Sequence, residues 1–261
     1  MDGPTELRHF ANLVNTHGHT ETGEFVFGLG VMARFEELIA LNRKQVEQSR
    51  WGTPAIIGSA GWLNRQTLPG ALKGYAGCLI VDKPRRPDTM KIAQKLEKTV
   101  HPLPGHALFD AADVAMEDTA LGPYSPPLPS FDLGPLRVAG NQTKKSGMLH
   151  AKLALLGAID YIDRYDPPEI EPGWFFRWSS AWLSSANFTY GADSNIEFGL
   201  QSTDPALIDQ VLTSLKGAIR ISEQWDSDSP DADPQLKEVK FDDQAFVDYF
   251  TQQAIDLERG K

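Results

Sequence analysis

Cysteine is nearly absent from this sequence of 261 residues, in which Cys78 stands alone and cannot form a disulfide within the chain. Without a disulfide framework, stability must come from the core, and a chain of this length can bury a substantial one. Cys78 lies in the apolar run of residues 76–81, where a thiol behaves as a small hydrophobic side chain. We therefore expect a buried, unreactive thiol in a protein of the reducing cytoplasm.

Long hydrophobic runs are also missing. No stretch approaches the roughly 18 consecutive apolar residues of a membrane-spanning helix. Residues 1–8 lack the charged start and apolar core of a secretory signal. Both absences favour a cytoplasmic protein with no membrane span.

Positive charge is scarce, with 25 Lys and Arg residues against 35 Asp and Glu residues and a net charge of −10. Such a balance opposes long-range attraction to nucleic acids. The imbalance is uneven, because residues 222–261 hold 11 acidic and 4 basic residues, a net charge of −7. Residues 1–221 therefore carry only −3, which leaves a nucleic-acid substrate open.

Apolar runs alternate with amphipathic segments, which predicts an α/β fold. A strand at residues 54–58, a brief helix at 66–73 and a strand at 77–82 favour a parallel pair in a mixed sheet. The remaining predicted strands are 135–139, 148–156, 178–184 and 195–201, and the remaining predicted helices are 33–49, 88–99 and 205–219.

The predicted domain organisation has two parts. Residues 1–221 are predicted to form a catalytic domain, with a loop-rich insertion at about 101–134, where prolines and glycines are frequent. Its last helix has a clear start, because Asp204 can cap the first amides and Pro205 suits the first helical position. Residues 222–261 are predicted to be an appendage made of an acidic linker and an amphipathic helix.

Candidate chemistry concentrates between residues 147 and 200. On a strand, residues two apart point the same way, so His150 and Lys152 would present an imidazole beside an ammonium group. Ser185 and Asn187 repeat this spacing with a hydroxyl and an amide that can donate to phosphoryl oxygens. Glu197 is placed to accept a proton from the far ring nitrogen of His150 and so fix its tautomer.

A lone His-x-Lys pair is a weak signal, but here it is followed in order by Ser-x-Asn and Asn-x-Glu-x-Gly-Leu. In this the chain resembles the phospholipase D superfamily, whose members carry His-x-Lys, Gly-Ser-x-Asn and a following Glu or Asp. The resemblance covers residues 147–200 as motif and about 54–220 as fold. It implies a phospholipase D-like mixed β-sheet flanked by helices on both faces.

The resemblance also implies a role for each motif residue. His150 matches the nucleophile, Lys152 and Asn187 match the phosphate-binding pair, Ser185 matches the supporting hydroxyl, and Glu197 matches the residue that orients the histidine.

The chain departs from the family motif at two positions. Gly157 stands where the motif usually has Asp, and Ser184 stands where it usually has Gly. The Asp generally plays a structural part, and Asp160 lies three residues on. The change at Ser184 can alter the phosphate loop slightly.

The mechanism needs a second catalytic group. An imidazole that attacks phosphorus gives a phosphohistidine, and another acid must protonate the leaving oxygen. Members of the family use two motif copies, whereas this chain has one. The sequence therefore predicts a two-fold homodimer with both motifs lining one cleft. The histidines that lack a lysine two places on are His9, His17, His19, His101 and His106.

No metal or other cofactor is predicted. The pair His17 and His19 and the pair His101 and His106 lack a cysteine or carboxylate cluster at the usual spacings. Solvated loop histidines are the simpler interpretation.

Substrate-binding residues are predicted around the motif. Basic side chains there could line a groove that follows a nucleic-acid backbone, or they could be ordinary solvated charges. The aromatic side chains in this region could form an apolar membrane-facing surface, stack bases or pack in the core. They are Trp174, Phe175, Phe176 and Trp178. The residues assigned to substrate binding are Lys144, Lys145, Arg177 and Trp178, and the other basic candidates are Arg137 and Arg164.

The resemblance to the phospholipase D superfamily implies a metal-independent endonuclease that cleaves DNA, or else RNA, in a restriction, defence or DNA-processing system with partner proteins. One alternative is an enzyme that hydrolyses phospholipids or transfers phosphatidyl groups, although no apolar membrane-facing surface is visible. Another is a non-catalytic module that binds nucleic acid or a partner protein. Retention of all five site residue types argues against the latter.

Overall fold

The structure is a computed structural model, and seven stretches of the chain are described. In these stretches no helix has both the length and the apolar character needed to cross a membrane. The described residues are 16–83, 86–110, 113–116, 119–122, 131–141, 149–163 and 173–259.

Fifteen strands are assigned in these stretches, nine of which join in one sheet. In chain order they are β1 (Thr16–Thr20), β2 (Gly23–Gly28), β3 (Thr53–Ala60), β4 (Ala76–Asp82), β5 (Leu103–Pro104), β6 (Val114–Ala115), β7 (Ala120–Leu121), β8 (Asp132–Leu133), β9 (Leu136–Ala139), β10 (Leu153–Ile162), β11 (Gly173–Ser184), β12 (Glu197–Ser202), β13 (Ser222–Gln224), β14 (Lys237–Glu238) and β15 (Lys240–Phe241).

The large sheet is mixed. Its spatial order is β1-β2-β12-β11-β10-β3-β4-β9-β13. Strands β3, β4 and β9 run parallel, and every other neighbouring pair runs antiparallel. The predicted parallel pair, now β3 and β4, is confirmed, as is the mixed α/β class.

Within the described part of the chain, five α-helices accompany the sheet: α1 (Val31–Ser49), α2 (Leu68–Ala71), α3 (Arg86–Thr99), α4 (Pro205–Arg220) and α5 (Asp243–Glu258). The predicted cap of α4 is present, since the Asp204 carboxylate accepts a hydrogen bond from the Ala206 amide at 3.1 Å. Buried side chains of α1 and α3 pack on one face of the sheet. Those of α4 pack on the other face, so helices flank the sheet on both sides as predicted.

An aromatic stack forms the centre of the core beneath α1. The Phe35 ring lies 5.5 Å from the Trp182 ring of β11 and 5.3 Å from the Phe188 ring, measured between centroids. Three rings stacked in this way bind α1 to the sheet and to the chain that follows β11.

Several boundaries differ from the predicted ones. The strand predicted at 148–156 starts only at Leu153, so the His-x-Lys pair lies just before β10. The hairpin of β1 and β2 was not predicted. The predicted boundary at residue 221 falls between α4 and β13, and β13 pairs with β9 at the edge of the large sheet.

Candidate active site

The motif residues converge at one end of the large sheet. Antiparallel pairing sets the start of β10 beside the end of β11, since Leu153 pairs with Leu183. The end of β11 in turn lies beside the start of β12, since Ser184 pairs with Gly199. Three motif segments that are distant in sequence therefore meet at this rim.

His150 and Lys152 are in direct contact there. The Lys152 Nζ atom lies 3.2 Å from Nδ1 and 3.2 Å from Nε2 of His150, and it donates a hydrogen bond to the His150 carbonyl at 3.0 Å. His150 is exposed, whereas Lys152 is buried. The imidazole is thus open to an incoming ligand, and the ammonium group lies below it.

Backbone contacts fix this segment although it lies outside the strand. The Leu149 amide donates to the carboxylate of Asp82, the last residue of β4, at 3.1 Å. The Ser59 hydroxyl of β3 donates to the Ala151 carbonyl at 3.2 Å. The Ser184 amide donates to the Lys152 carbonyl at 3.0 Å. His150 therefore has anchored neighbours on both sides.

Asn187 faces the same point with its amide group oriented. The Trp62 backbone amide lies 3.2 Å from Asn187 Oδ1. Because a backbone N–H can only donate, the atom that it meets must be the carbonyl oxygen. Among the described residues no group accepts from the Asn187 Nδ2 atom, so its two hydrogens can donate to a ligand.

Gly61 shows how closely these side chains approach one another. A Cβ atom at Gly61 would lie 3.2 Å from Asn187 Oδ1, 3.6 Å from His150 Cδ2 and 3.1 Å from the Leu149 carbonyl oxygen. The histidine and the asparagine therefore lie on either side of a residue that has no side chain. Glycine at this position leaves the space between the two side chains unfilled.

Ser185 and Glu197 form a second pair. The Ser185 hydroxyl donates to the Glu197 carboxylate and accepts from the Phe198 amide at 2.9 Å. The predicted hydrogen bond from His150 to Glu197 does not occur among the described residues. In this structure Glu197 orients the serine rather than the histidine.

Electrostatics at Lys152 favour an anionic ligand. Burial lowers the pKa of Lys152, and the negative charge of nearby Glu197 opposes this lowering only in part. Lys152 forms no ion pair with any residue in the described stretches. A phosphate oxygen at this ammonium group would supply the missing counter-charge.

Two of the predicted substrate-binding residues, Arg177 and Trp178, lie away from this cluster. Arg177 and Trp178 pair with Ala158 and Gly157 on β10, which lie six and five residues beyond Lys152. At about 3.3 Å per residue this places them roughly 15–20 Å from Lys152. The Arg177 guanidinium lies over the Trp51 ring at 4.2 Å, and the Trp178 ring stacks on Phe176. Lys144, Lys145 and Arg164 lie outside the described residues.

Arg137 corrects another expectation. The sequence left it as a candidate for a basic groove or as a solvated charge, but it is fully buried and donates to the Ser222 hydroxyl at 2.6 Å and to the Ser222 carbonyl at 2.9 Å. The prediction is wrong because β13 covers this side chain at the edge of the sheet. Charge in a sequence does not show which basic residues a later strand will bury.

The departure at Gly157 has a structural cause. The pairing of β10 with β11 shifts register between Leu156 and Gly157, which marks an irregularity in the ladder. A Cβ atom at Gly157 would overlap the Arg177 carbonyl oxygen. An aspartate could not be accommodated here without moving backbone.

Residues that the sequence did not single out support the site. Asp82 and Ser59 hold the backbone on either side of His150. Phe27 and Phe198 pair across β2 and β12, and their rings are 37% and 40% exposed. The alternation of Phe25 and Phe27 in the sequence was a usable signal for this strand.

Metal ligands do not gather at the site. Within the described stretches, no group of three or more His, Cys, Asp or Glu side chains is arranged to hold a metal ion. His17 is exposed on β1, and His101 is exposed in the loop before β5.

Comparisons with known proteins give fold relatives only. No family model matches the chain, and no curated protein matches it. The solved structures to which it is similar include NucT from Helicobacter pylori, with 13% identity, a TM-score of 0.40, and coverage of 77% of this chain and 99% of that one.

A phospholipase D family member, Nuc from Salmonella typhimurium, is similar at 12% identity and a TM-score of 0.41, over 72% of this chain and 90% of that one. Polyphosphate kinase from Porphyromonas gingivalis is similar at 12% identity and a TM-score of 0.38, over 85% of this chain and 27% of that one. The family named for Nuc is the one that the sequence motifs resemble. At these TM-scores, function has to be argued from this chain's own side chains.

Proposed function

We propose that this chain is a metal-independent phosphodiesterase of the phospholipase D type that cleaves nucleic acid. The contact between His150 and Lys152, with the Asn187 amide group across Gly61, carries the proposal. A nucleophile, a cation and an oriented amide donor around one open point are what a phosphodiester requires.

In the proposed first step, a ring nitrogen of His150 attacks phosphorus in line with the leaving oxygen. A P–N bond forms while the P–O bond to the leaving group breaks, and the leaving oxygen takes a proton from a second acid. Lys152 and Asn187 bind the non-bridging oxygens, where negative charge builds up. Water then attacks phosphorus, gives a proton to the same group and releases His150.

The second acid is proposed to be His150 of another copy of the chain. Each copy has one exposed His150 at the rim of its sheet, so a two-fold assembly can place two such rings across one cleft. Because one imidazole cannot attack and protonate at the same moment, the proposal requires this dimer.

Nucleic acid is the proposed substrate, with DNA preferred to RNA. Phe27 and Phe198, which pair across β2 and β12, have exposed rings on which unpaired bases can stack. A restriction, defence or DNA-processing system with its own partner proteins is the setting that the sequence resemblance implies, and this stays a prediction.

A parallel assay tests the activity and its substrate. Single-stranded DNA, duplex DNA, RNA and phospholipid vesicles are each incubated with the protein in EDTA. We expect cleavage of DNA that His150→Ala lowers on the order of 10⁴-fold. Cleavage of vesicles alone, or binding of DNA without cleavage by the wild-type protein, would contradict the proposal.

Mixed dimers test the shared cleft. Wild-type chains are co-purified with His150→Ala chains through two different affinity tags, so that every isolated dimer holds one intact histidine. These dimers are expected to be inactive, whereas mixed dimers with Lys73→Ala, which changes an exposed residue, remain active. A monomeric protein that is active at the assay concentration would rule out this part of the proposal.

A further inference from the structure

Arg65 is a buried cation in the loop that follows β3. Its Nε and Nη2 atoms donate to the two carboxylate oxygens of Glu36 at 2.7 and 3.1 Å, and Nη1 donates to Asp193 Oδ2 at 2.6 Å. Arg65 is only 5% exposed. These three residues, which we call the Arg65 clamp, join α1, the loop after β3 and the segment before β12.

The Arg65 clamp lies beside hydrogen bonds that join the loop after β3 to the segment that follows β11. The Phe188 carbonyl accepts from the amides of Asn64 and Arg65 at 3.0 and 3.1 Å, and the Tyr190 amide donates to Asn64 Oδ1 at 3.2 Å. Asn187 precedes this ladder directly, and its own Oδ1 is bound by the Trp62 amide. The position of Asn187 therefore depends on how the two segments are held together.

Arginine suits this place because its planar guanidinium carries five donors in a fixed fork. Burial alone would lower the pKa of Arg65, but hydrogen bonds and charge from Glu36 and Asp193 outweigh burial and raise it. Arg65 thus keeps its positive charge at every working pH. A lysine could reach one carboxylate but could not bind Glu36 in bidentate fashion and Asp193 as well.

We infer that Arg65 is a positioning residue that holds the Asn187 amide against the His150–Lys152 pair. The inference rests on the proposed function for its activity readout. Arg65 itself bonds to Glu36, Asp193 and Phe188, and its effect on a phosphodiester passes through Asn187. An error of about 1 Å in a group that binds the reacting phosphate can cost on the order of 100-fold in rate.

A double-mutant cycle separates this role from general support of the fold. Arg65→Gln in the wild-type background is expected to lower kcat/KM by about 10- to 100-fold, and Arg65→Lys by less. In the Asn187→Ala background, Arg65→Gln is expected to cause no further loss. Equal losses in both backgrounds would show a merely structural role and overturn the inference.

A matched control is available on α1, the helix that carries Glu36. Arg34 also bridges two carboxylates, those of Glu24 and Glu37, but its side chain forms no ion pair with the loop after β3 or with the segment of Asn187. Arg34→Gln is expected to leave kcat/KM unchanged. Asp193→Asn, which keeps the Glu36 half of the clamp, serves as a second test if Arg65→Gln does not fold.

A readout without catalysis keeps the inference testable if the proposed activity fails. The side-chain amide signals of Asn187 are followed by NMR during titration with inorganic phosphate. Phosphate is expected to shift them in the wild-type protein and in Arg34→Gln, but not in Arg65→Gln. Unchanged amide signals and an unchanged phosphate response in Arg65→Gln would overturn the inference. If Arg65→Gln loses the phosphate response but the wild-type protein cleaves none of the substrates, only the proposed function is refuted.

Discussion

At the scale of single residues, the candidate site depends more on the space around its side chains than on their chemical types. His150, Lys152 and Asn187 are common side chains, and what makes them a site is the missing side chain at Gly61 between them. The Trp62 amide can orient Asn187 because the backbone at Gly61 comes close to the Asn187 side chain, which only a residue without a side chain allows.

Gly61→Ala tests this requirement. The added methyl group would lie 3.2 Å from Asn187 Oδ1 and 3.1 Å from the Leu149 carbonyl oxygen, so one or both must move. We expect kcat/KM to fall by about 10- to 100-fold with a small change in stability. Gly70→Ala is the control, because a Cβ atom at Gly70 meets nothing within 4 Å and activity should stay at the wild-type level.

The single thiol gives a simpler prediction. Burial raises the pKa of Cys78 to about 12, so at pH 8 almost none of it is the reactive thiolate. A thiol reagent such as dithionitrobenzoate should leave the folded protein unlabelled for hours and should label one thiol per chain in guanidinium. Rapid labelling of the native protein would show that Cys78 is not in a closed interior.

At the scale of elements, the presence of strands in the core was predicted better than the residues at which they begin and end. Apolar periodicity gave β3, β4 and α4 to within about two residues, because a pattern over one element depends on that element's own face. The start of β10 was misplaced because the segment 149–152 bonds to Asp82 and Ser59, which come from other strands. Such contacts between distant segments have no local signal.

The irregularity in β10 yields a stability prediction. A methyl group at Gly157 would overlap the Arg177 carbonyl oxygen, which belongs to the backbone and cannot swing away. Gly157→Ala should therefore lower the free energy of unfolding by about 2–3 kcal/mol in urea titrations. Gly217 is exposed to solvent in the middle of α4, and a Cβ atom there meets nothing within 4 Å. Gly217→Ala should therefore raise the free energy of unfolding by up to about 1 kcal/mol.

The hydrogen bonds that link Glu36 of α1 to the loop after β3 predict that the stability of the fold depends on pH in acid. Burial by itself would raise the pKa of Glu36, but hydrogen bonds from Arg65 and Thr67 outweigh burial and hold it below its usual value of 4.5. Because the folded-state pKa is depressed, the stability from this group is present above about pH 4.5 and is lost as pH falls through the folded pKa.

Thermal unfolding between pH 5.5 and 3 measures this contribution. The melting temperature of Glu36→Gln should fall less steeply with acid than that of the wild-type protein. Glu37→Gln, one residue along the helix and on its solvent side, should keep the wild-type slope. Parallel slopes for the wild-type protein and Glu36→Gln would contradict the prediction.

At the scale of the whole molecule, residues 222–261 are not uniform. Glu223 in β13 is buried and contacts the ammonium group of buried Lys83, which also donates to the Asp231 carbonyl at 2.6 Å. Buried Arg137 depends on Ser222 in the same strand. Helix α5, by contrast, has no buried residue. The start of the predicted appendage is therefore bonded into the large sheet.

Two truncations test this division. Ending the chain after Asp242 removes α5 and should change the free energy of unfolding by less than about 1 kcal/mol. Ending it after Ile221 leaves Lys83 and Arg137 without their partners and should cost at least about 3 kcal/mol, or roughly 10 °C in melting temperature. Similar melting curves for both truncated chains would show that residues 222–242 add nothing to the domain.

The sequence by itself determined the chemical groups of the candidate site and the local elements that present them. Residue type and spacing within one element depend on neighbours along the chain, so His150, Lys152, Asn187, the parallel pair and α4 could all be predicted. The tertiary structure alone decided the rest. It buried Arg137, placed Arg177 far from His150 and joined Arg65 to Asp193, because these outcomes depend on contacts between residues tens of positions apart.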